Sequence, residues 1–161
     1  GLEVAEASLY QGAPFVLCPL PRTSPQTVAL FAALAQAVGA CPLELDPVRH
    51  DRLAAAISHA PYLASLATFA AANDVAQDDA TAWRLAAGGF RSTTRLAGSD
   101  DQMMADILLS NRAAVLAQLD HMQAHLARLA ALLTTEDAAR LRELLAAARA
   151  ARSQFLETYG G

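Results

Sequence analysis

From Val115 to Leu133 the apolar residues Val115, Leu119, Met122, Leu126, Leu129 and Leu133 fall at intervals of 4, 3, 4, 3 and 4. This is a heptad-like seam, which the two-residue period of a strand cannot produce. It predicts a helix from about Gln102 to Leu133 with one face made for another helix. Thr134 and Asp137 then supply a T-x-x-D capping pattern, which predicts a last helix to about Tyr159. Two long helices separated by a two-residue break are expected to fold back as an antiparallel hairpin. Both carry more alanine and leucine than a single buried stripe requires. Alanine on several faces allows close helix approach, and a chain this small has few partners of its own, so a helical homodimer is expected.

No strand is expected after Pro47. A long helix is predicted from about Pro47 to Asn73, bent near Pro61, because proline lacks the backbone donor and disfavours helix in Ala60. The acidic stretch DVAQDDATAW leads to a shorter helix ending near Ala87. Residues 1–47 read differently. Ala13 to Pro19 (APFVLCP) is a short β-type run, and Pro25 to Gly39 is helical, with Ser24 as N-cap, Pro25 at the first position and Gly39 as the stop. Cys41 to Leu45 is a second short strand. Strand, helix, strand in some thirty residues is a βαβ pattern, and one such unit cannot bury both faces of a sheet. The block is expected to be the tail end of an α/β domain. No internal repeat at a fixed period is found.

Composition narrows the classes. Apolar residues make up 54% of 161 and charged residues 17%, which is enough for a sizeable core and argues against disorder. Aromatics are only 6%, so the core should be alanine, leucine and valine at close range. The net charge of -4 is spread along the chain, leaving no basic stripe for phosphates and arguing against a nucleic-acid partner. Cys18 and Cys41 make neither a disulfide framework nor a metal quartet, and reduced thiols suit a cytoplasmic protein. No unbroken apolar run reaches the ~18 residues that cross a bilayer, so no membrane partner is expected. The opening GLEVAEASLY has no basic region and does not read as a signal peptide.

Between the helices lies GGFRSTTRLAGSDDQMMADILLSN, Gly88 to Asn111, rich in glycine, arginine, hydroxyls and aspartate. Its glycines are expected to allow tight turning. Arg95, after Thr93 and Thr94 and five residues before a predicted helix start, stands where a planar cation can be held for a carboxylate. It could equally pair with Asp100 or Asp101. His121 and His125 sit four apart on a helix, the spacing for a shared metal, but no third ligand stands nearby and no metal site is assigned. His50 and His59 are nine apart and project differently, and lone helical histidines are more often structural or solvated. Asp51 and Arg52 would ordinarily be surface charge. The chain shows no nucleophile elbow, phosphate loop or G-x-G-x-x-G.

Three linked stretches carry a resemblance: LYQGAPFVLCPLPRTSP, LDPVRHDRLAAAISHAPYL and AAGGFRSTTRLAGSDDQMMADILLSN. In this order they resemble the prephenate dehydrogenase family (prephenate and arogenate dehydrogenases), with its GAPWVLTP-like strand, HDR…SHLPH helix, GGF-[RK]-D-x-TR loop and DPxMWxDIxxxN helix start. The resemblance covers nearly the whole chain. It implies a mainly α fold: residues 1–47 as the end of an NAD-binding Rossmann-like domain, and residues 48–161 as the all-helical domain that dimerises and caps the substrate.

The resemblance also implies an activity, the NAD-dependent oxidative decarboxylation of prephenate to 4-hydroxyphenylpyruvate in tyrosine biosynthesis. The family's catalytic histidine and cofactor fingerprint would lie upstream of Gly1, so no catalytic residue is assigned here and the chain alone is expected to be inactive. Arg95 matches the family's substrate-carboxylate ligand. His59, Tyr62, Gly88 and Met104 fall on pocket positions. Tyr62 stands where the family has a histidine, a phenol that donates but carries no cation, and Met104 stands for a tryptophan. Asp51 and Arg91 match an ionic gate at the pocket mouth, with Asp51 coming from the other subunit, and Ser92 replaces the loop aspartate. The expected partners are a second copy of the chain and the small molecule prephenate. The departures leave two alternatives open, an arogenate dehydrogenase and a non-catalytic helical dimerisation module.

Overall fold

The computed structural model describes residues 5–159. The first four residues of the GLEVAEASLY stretch and of the 1–47 block lie outside the described residues. Strands β1 (Pro14–Leu17) and β2 (Cys41–Glu44) pair in parallel, with Pro14 opposite Cys41 and Leu17 opposite Glu44. Helix α1 (Pro25–Ala37) connects them. The Ser24 hydroxyl accepts from the Thr27 N–H at 3.1 Å, and Pro25 sits at the start, where a missing N–H costs nothing. Gly39 has φ +83°, a conformation L side chains rarely adopt, and it reverses the chain into β2. The unit leaves Leu30, Phe31 and Leu34 of α1 and Leu43 of β2 exposed.

Asp46 starts helix α2 (Pro47–Ala54), its carboxylate accepting from the Arg49 N–H at 3.0 Å. The bend expected at Pro61 takes the form of a π-helical turn over Ala55–His59, followed by α3 (Ala60–Asp78). With no N–H at Pro61, the carbonyl four residues earlier has no regular partner. The chain widens one turn upstream, where the Ala60 N–H reaches the Ala55 carbonyl. Helix α3 runs five residues past the expected end at Asn73, because Ala76 on it is buried. The run Pro47–Asp78 reaches a mean hydropathy of 1.3 over its best window, long and apolar enough by length and composition to cross a bilayer. Counting only unbroken apolar residues had missed it. In this fold the run holds His59 and Ser65 in polar contacts with other elements.

Asp79 accepts from the Thr81 N–H at 2.9 Å and opens the short helix α4 (Thr81–Leu85). The stretch from Gly88 is mostly helical: α5 (Gly88–Thr93), a 3-10 turn over Arg95–Gly98, then α6 (Asp101–Ser110), capped by Asp100. Its glycines do not make tight turns. Gly88, Gly89 and Gly98 all lack the positive φ that would require glycine, and a Cβ added at any of them would meet open space.

The helix expected from Gln102 to Leu133 is broken at Asn111, whose φ of -108° and ψ of 27° separate α6 from α7 (Arg112–Thr134). Helix α8 (Ala138–Tyr159) begins after Glu136, which takes a left-handed φ of 50°. Asp137, not Thr134, is its cap: the Asp137 carboxylate accepts from the Arg140 N–H at 3.1 Å, while the Thr134 hydroxyl donates back to the Ala130 carbonyl.

The chain forms two compact units, residues 1–115 and 116–161. The first is centred on small buried residues, Ala35, Ala55, Ala60, Ser65 and Ala76, with Met104 and Val115. This is the core that scarce aromatics predict. In the second, α7 and α8 are not packed along their lengths, unlike the expected close hairpin. They leave a cleft of about 490 Å³ lined by Arg128, Leu132, Arg140 and Leu144 among others. No described residue after Val115 is buried.

Candidate functional site

The site begins with one buried hydroxyl. Ser65, 2% exposed on α3, accepts from the Ala97 N–H at 3.0 Å and fixes the 3-10 turn against that helix. Thr94 is buried just before the turn, and its hydroxyl donates to the Phe90 carbonyl at 2.8 Å, closing α5. With both ends of the Thr94–Ala97 segment held, the intervening Arg95 is left exposed. Three rings stand beside it. Phe69 and Trp83 stack at 5.7 Å between centroids, and Phe90 lies 6.3 Å from Phe69 and 6.0 Å from Trp83. Together with Arg91, Thr94, Arg95 and Gly98 they line an open pocket of about 480 Å³.

The two arginines have no carboxylate partner. Among the described residues the ion pairs are His50–Asp51 at 3.0 Å and Arg140–Asp137 at 3.7 Å. The aspartates that could have paired with Arg95 are engaged elsewhere. Asp100 accepts from the Met103 N–H at 2.8 Å, and Asp101 accepts from the Gln102 N–H at 3.0 Å. A helix start binds its capping carboxylate through backbone donors, so these side chains stay on α6. An aromatic wall with two uncommitted guanidinium groups is suited to a ring-bearing anion.

Of the residues singled out in the sequence, Arg91 and Arg95 line this pocket, whereas His59, Tyr62, Gly88, Met104 and Asp51 do not. Met104 is buried and Tyr62 half-buried, while Gly88 is exposed at the start of α5. The Asp51 carboxylate is bound to His50 Nδ1 and forms no ion pair with Arg91 within the chain. His59 is buried. Asn111 Nδ2 donates to the Asp51 backbone carbonyl at 2.7 Å and lies 3.3 Å from His59 Nδ1. His121 and His125 are exposed on α7, and no group of three possible metal ligands occurs among the described residues.

Burial, then the nearby Asp51 and Asp46 charges, raise the Cys18 thiol above its ordinary range. The bond from Thr81 lowers the Asp79 carboxyl. Both cysteines are free.

Ser65, Asn111 and the aromatic trio were not singled out from the sequence. A lone serine in the apolar run YLASLATFA was the available signal for Ser65. For Asn111 it was an asparagine at the end of ADILLSN, inside a predicted helix that it in fact breaks.

The fold and pocket define a class: a helical domain with an exposed apolar hairpin and an anion site backed by aromatic rings. Comparison with known proteins gives the family. The sequence model for the prephenate dehydrogenase dimerization domain matches residues 46–147. The chain is 30% identical over 141 residues to a prephenate dehydrogenase of Bacillus subtilis (strain 168), covering 88% of this chain and 38% of that protein. It is also 30% identical over 138 residues to a cyclohexadienyl dehydrogenase of Zymomonas mobilis, covering 85% of this chain and 47% of the relative.

Among solved structures, prephenate dehydrogenase from A. aeolicus in complex with hydroxyphenyl propionate and NAD+ superimposes with a TM-score of 0.90 at 26% identity, covering 96% of this chain and 54% of that one. Synechocystis arogenate dehydrogenase gives a TM-score of 0.82 at 29% identity, covering 96% and 56%. This chain belongs to the prephenate dehydrogenase family. It spans less than half the length of the curated relatives it matches.

Proposed function

We propose that this chain is the dimerisation and substrate-capping part of a cytoplasmic NAD-dependent dehydrogenase that oxidatively decarboxylates prephenate to 4-hydroxyphenylpyruvate. On this reading residues 1–47 complete the cofactor domain, and residues 48–161 form the helical domain. Three features support that division: the match beginning at residue 46, the parallel strand–helix–strand unit and the uncovered apolar face of α1. The segment between β1 and α1, Cys18–Ser24, has no glycine-rich run for a pyrophosphate, so no contact with the cofactor is derived from it. NAD, when bound, supplies the hydride acceptor.

The residues of this chain bind and enclose. The carrying observation is Arg95, an exposed guanidinium at a ring-lined pocket with no carboxylate partner among the described residues. It holds a substrate carboxylate through a two-pronged hydrogen bond, while Phe69, Trp83 and Phe90 keep water from one side. Tyr62 offers a phenol donor, Met104 and His59 complete the wall, and open space at Gly88 lets substrate approach the backbone. Asp51 of one subunit and Arg91 of the other close the mouth of the pocket. In the reaction the ring carboxylate leaves as carbon dioxide, the hydride leaves the carbon bearing the hydroxyl, and the hydroxyl proton passes to a base.

The test is turnover by the whole protein, followed by absorbance of the reduced cofactor with prephenate and, separately, with arogenate. Arg95→Ala should raise KM for the accepted acid by roughly 30- to 1000-fold, the loss of a charge-assisted hydrogen bond of about 2–4 kcal/mol. Arg95→Lys should recover part of this. An unfolded Arg95→Ala whose surviving fraction keeps its KM would make Arg95 structural. Turnover of arogenate alone would reassign the substrate, and turnover of neither acid would favour a non-catalytic dimerisation module.

A further inference from the structure

The hydrogen bonds around Asn111 determine the tautomer of a histidine 52 residues away. Asn111 sits at the break between α6 and α7, where its side-chain amide is free of helix geometry. One amide atom lies 2.7 Å from the Asp51 backbone oxygen. A carbonyl oxygen only accepts, so that atom must be the NH₂ nitrogen and the amide orientation is fixed. The same nitrogen lies 3.3 Å from His59 Nδ1. An amide NH₂ only donates, so Nδ1 accepts and the ring proton of neutral His59 resides on Nε2.

His59 closes the π-helical turn, an irregularity found often at functional sites. The ring is buried to 9% exposure, yet Nε2 has no partner. No nitrogen or oxygen in an unexposed described side chain is both sealed from solvent and unpartnered, so Nε2 reaches the surface.

Resting on the substrate pocket proposed above, we propose that Asn111 is a positioning residue. It fixes His59 as the Nε2–H tautomer and so presents one rigid N–H donor to an oxygen of the bound acid. Pre-setting the tautomer and ring orientation removes from binding the cost of choosing between two forms. The second bond of Asn111, to the Asp51 carbonyl, ties this donor to the residue placed at the gate.

Long-range proton–nitrogen NMR on the chain reads the tautomer directly. The His59 ring is assigned among the four histidines by its disappearance in His59→Gln. Wild type should show Nε2 protonated and Nδ1 bare. Asn111→Asp is nearly isosteric but presents an acceptor, and should move the proton to Nδ1. In the whole protein that variant should raise KM by roughly three- to tenfold, the loss of one neutral hydrogen bond, with a smaller effect on kcat.

Wild-type His59 protonated on Nδ1 would overturn the proposal by itself, whether or not the variant folds. So would a tautomer indifferent to Asn111→Asp, or a tautomer that moves while KM does not. A normal KM in Arg95→Ala alongside the expected tautomer shift and KM rise in Asn111→Asp would sink the carboxylate-site reading of Arg95 and leave this proposal standing.

Discussion

The two compact units satisfy their side chains by different means. In residues 1–115, contacts distant in sequence do the holding: Asn111 to the Asp51 carbonyl, Ser65 to the Ala97 N–H, and the packed rings of Phe69, Trp83 and Phe90. In residues 116–161, every listed side-chain hydrogen bond is local, and Leu126, Leu133, Leu145 and Phe155 are each more than half exposed. A helix whose leucines face water at heptad spacing is one side of an interface, because isolated helical hairpins gain little from propensity alone. The contrast teaches that the first unit carries the chemistry and the second is shaped for a second copy.

The strongest way to break this comparison is to charge the seam. Each buried leucine contributes about 1.5–3 kcal/mol, and a two-fold interface counts each substitution twice. Leu126→Arg should therefore weaken the dimer by roughly 100-fold or more. Sedimentation at micromolar concentration should show twice the chain mass for wild type and a single chain mass for the variant. A stable monomeric wild type would remove the case for an interface.

Next in size is the buried hydroxyl of the first unit. Ser65→Ala leaves the Ala97 N–H without its acceptor, at a cost of about 1–3 kcal/mol. For a chain of this length each kcal/mol lowers Tm by roughly 2–4 °C. The thermal midpoint should fall while the dimer mass holds. An unchanged midpoint would mean that the turn carrying Arg95 is held by something other than Ser65.

The sequence disclosed most where the signal is local. Ser24, Pro25 and Gly39 bounded α1 because caps, proline and a positive-φ glycine act within a few residues. Arg95 was legible as a cation in a polar stretch, but whether it was paired depended on what Asp100 and Asp101 did with their carboxylates. Both took backbone donors, which a residue count cannot show. The π-helical turn was anticipated as a bend at Pro61 but placed a turn too late, since the missing donor is felt at the acceptor rather than at the proline. The roles of Asn111 and Ser65 depend on partners 32 to 60 residues distant, beyond the reach of periodicity. Helical periodicity also ran through Asn111 unbroken, which merged α6 with α7.

The smallest expected effect sharpens the second unit. Asp137 accepts from the Arg140 N–H at 3.1 Å, while its ion pair with Arg140 at 3.7 Å is solvent-exposed and worth little. Asp137→Ala should cost about 1 kcal/mol of helix stability through the lost cap. Hydrogen exchange in the first turn of α8 should quicken by roughly fivefold, with protection around Ser65 and Ala97 unchanged. Thr134→Ala should do less, because that hydroxyl bonds back into α7 rather than forward into α8. If Thr134→Ala proves the more damaging, the cap lies where the T-x-x-D pattern first put it, and the turn between the helices is wound differently. If Asp137→Ala spreads its effect into the first unit, the two units unfold together and the comparison between them fails.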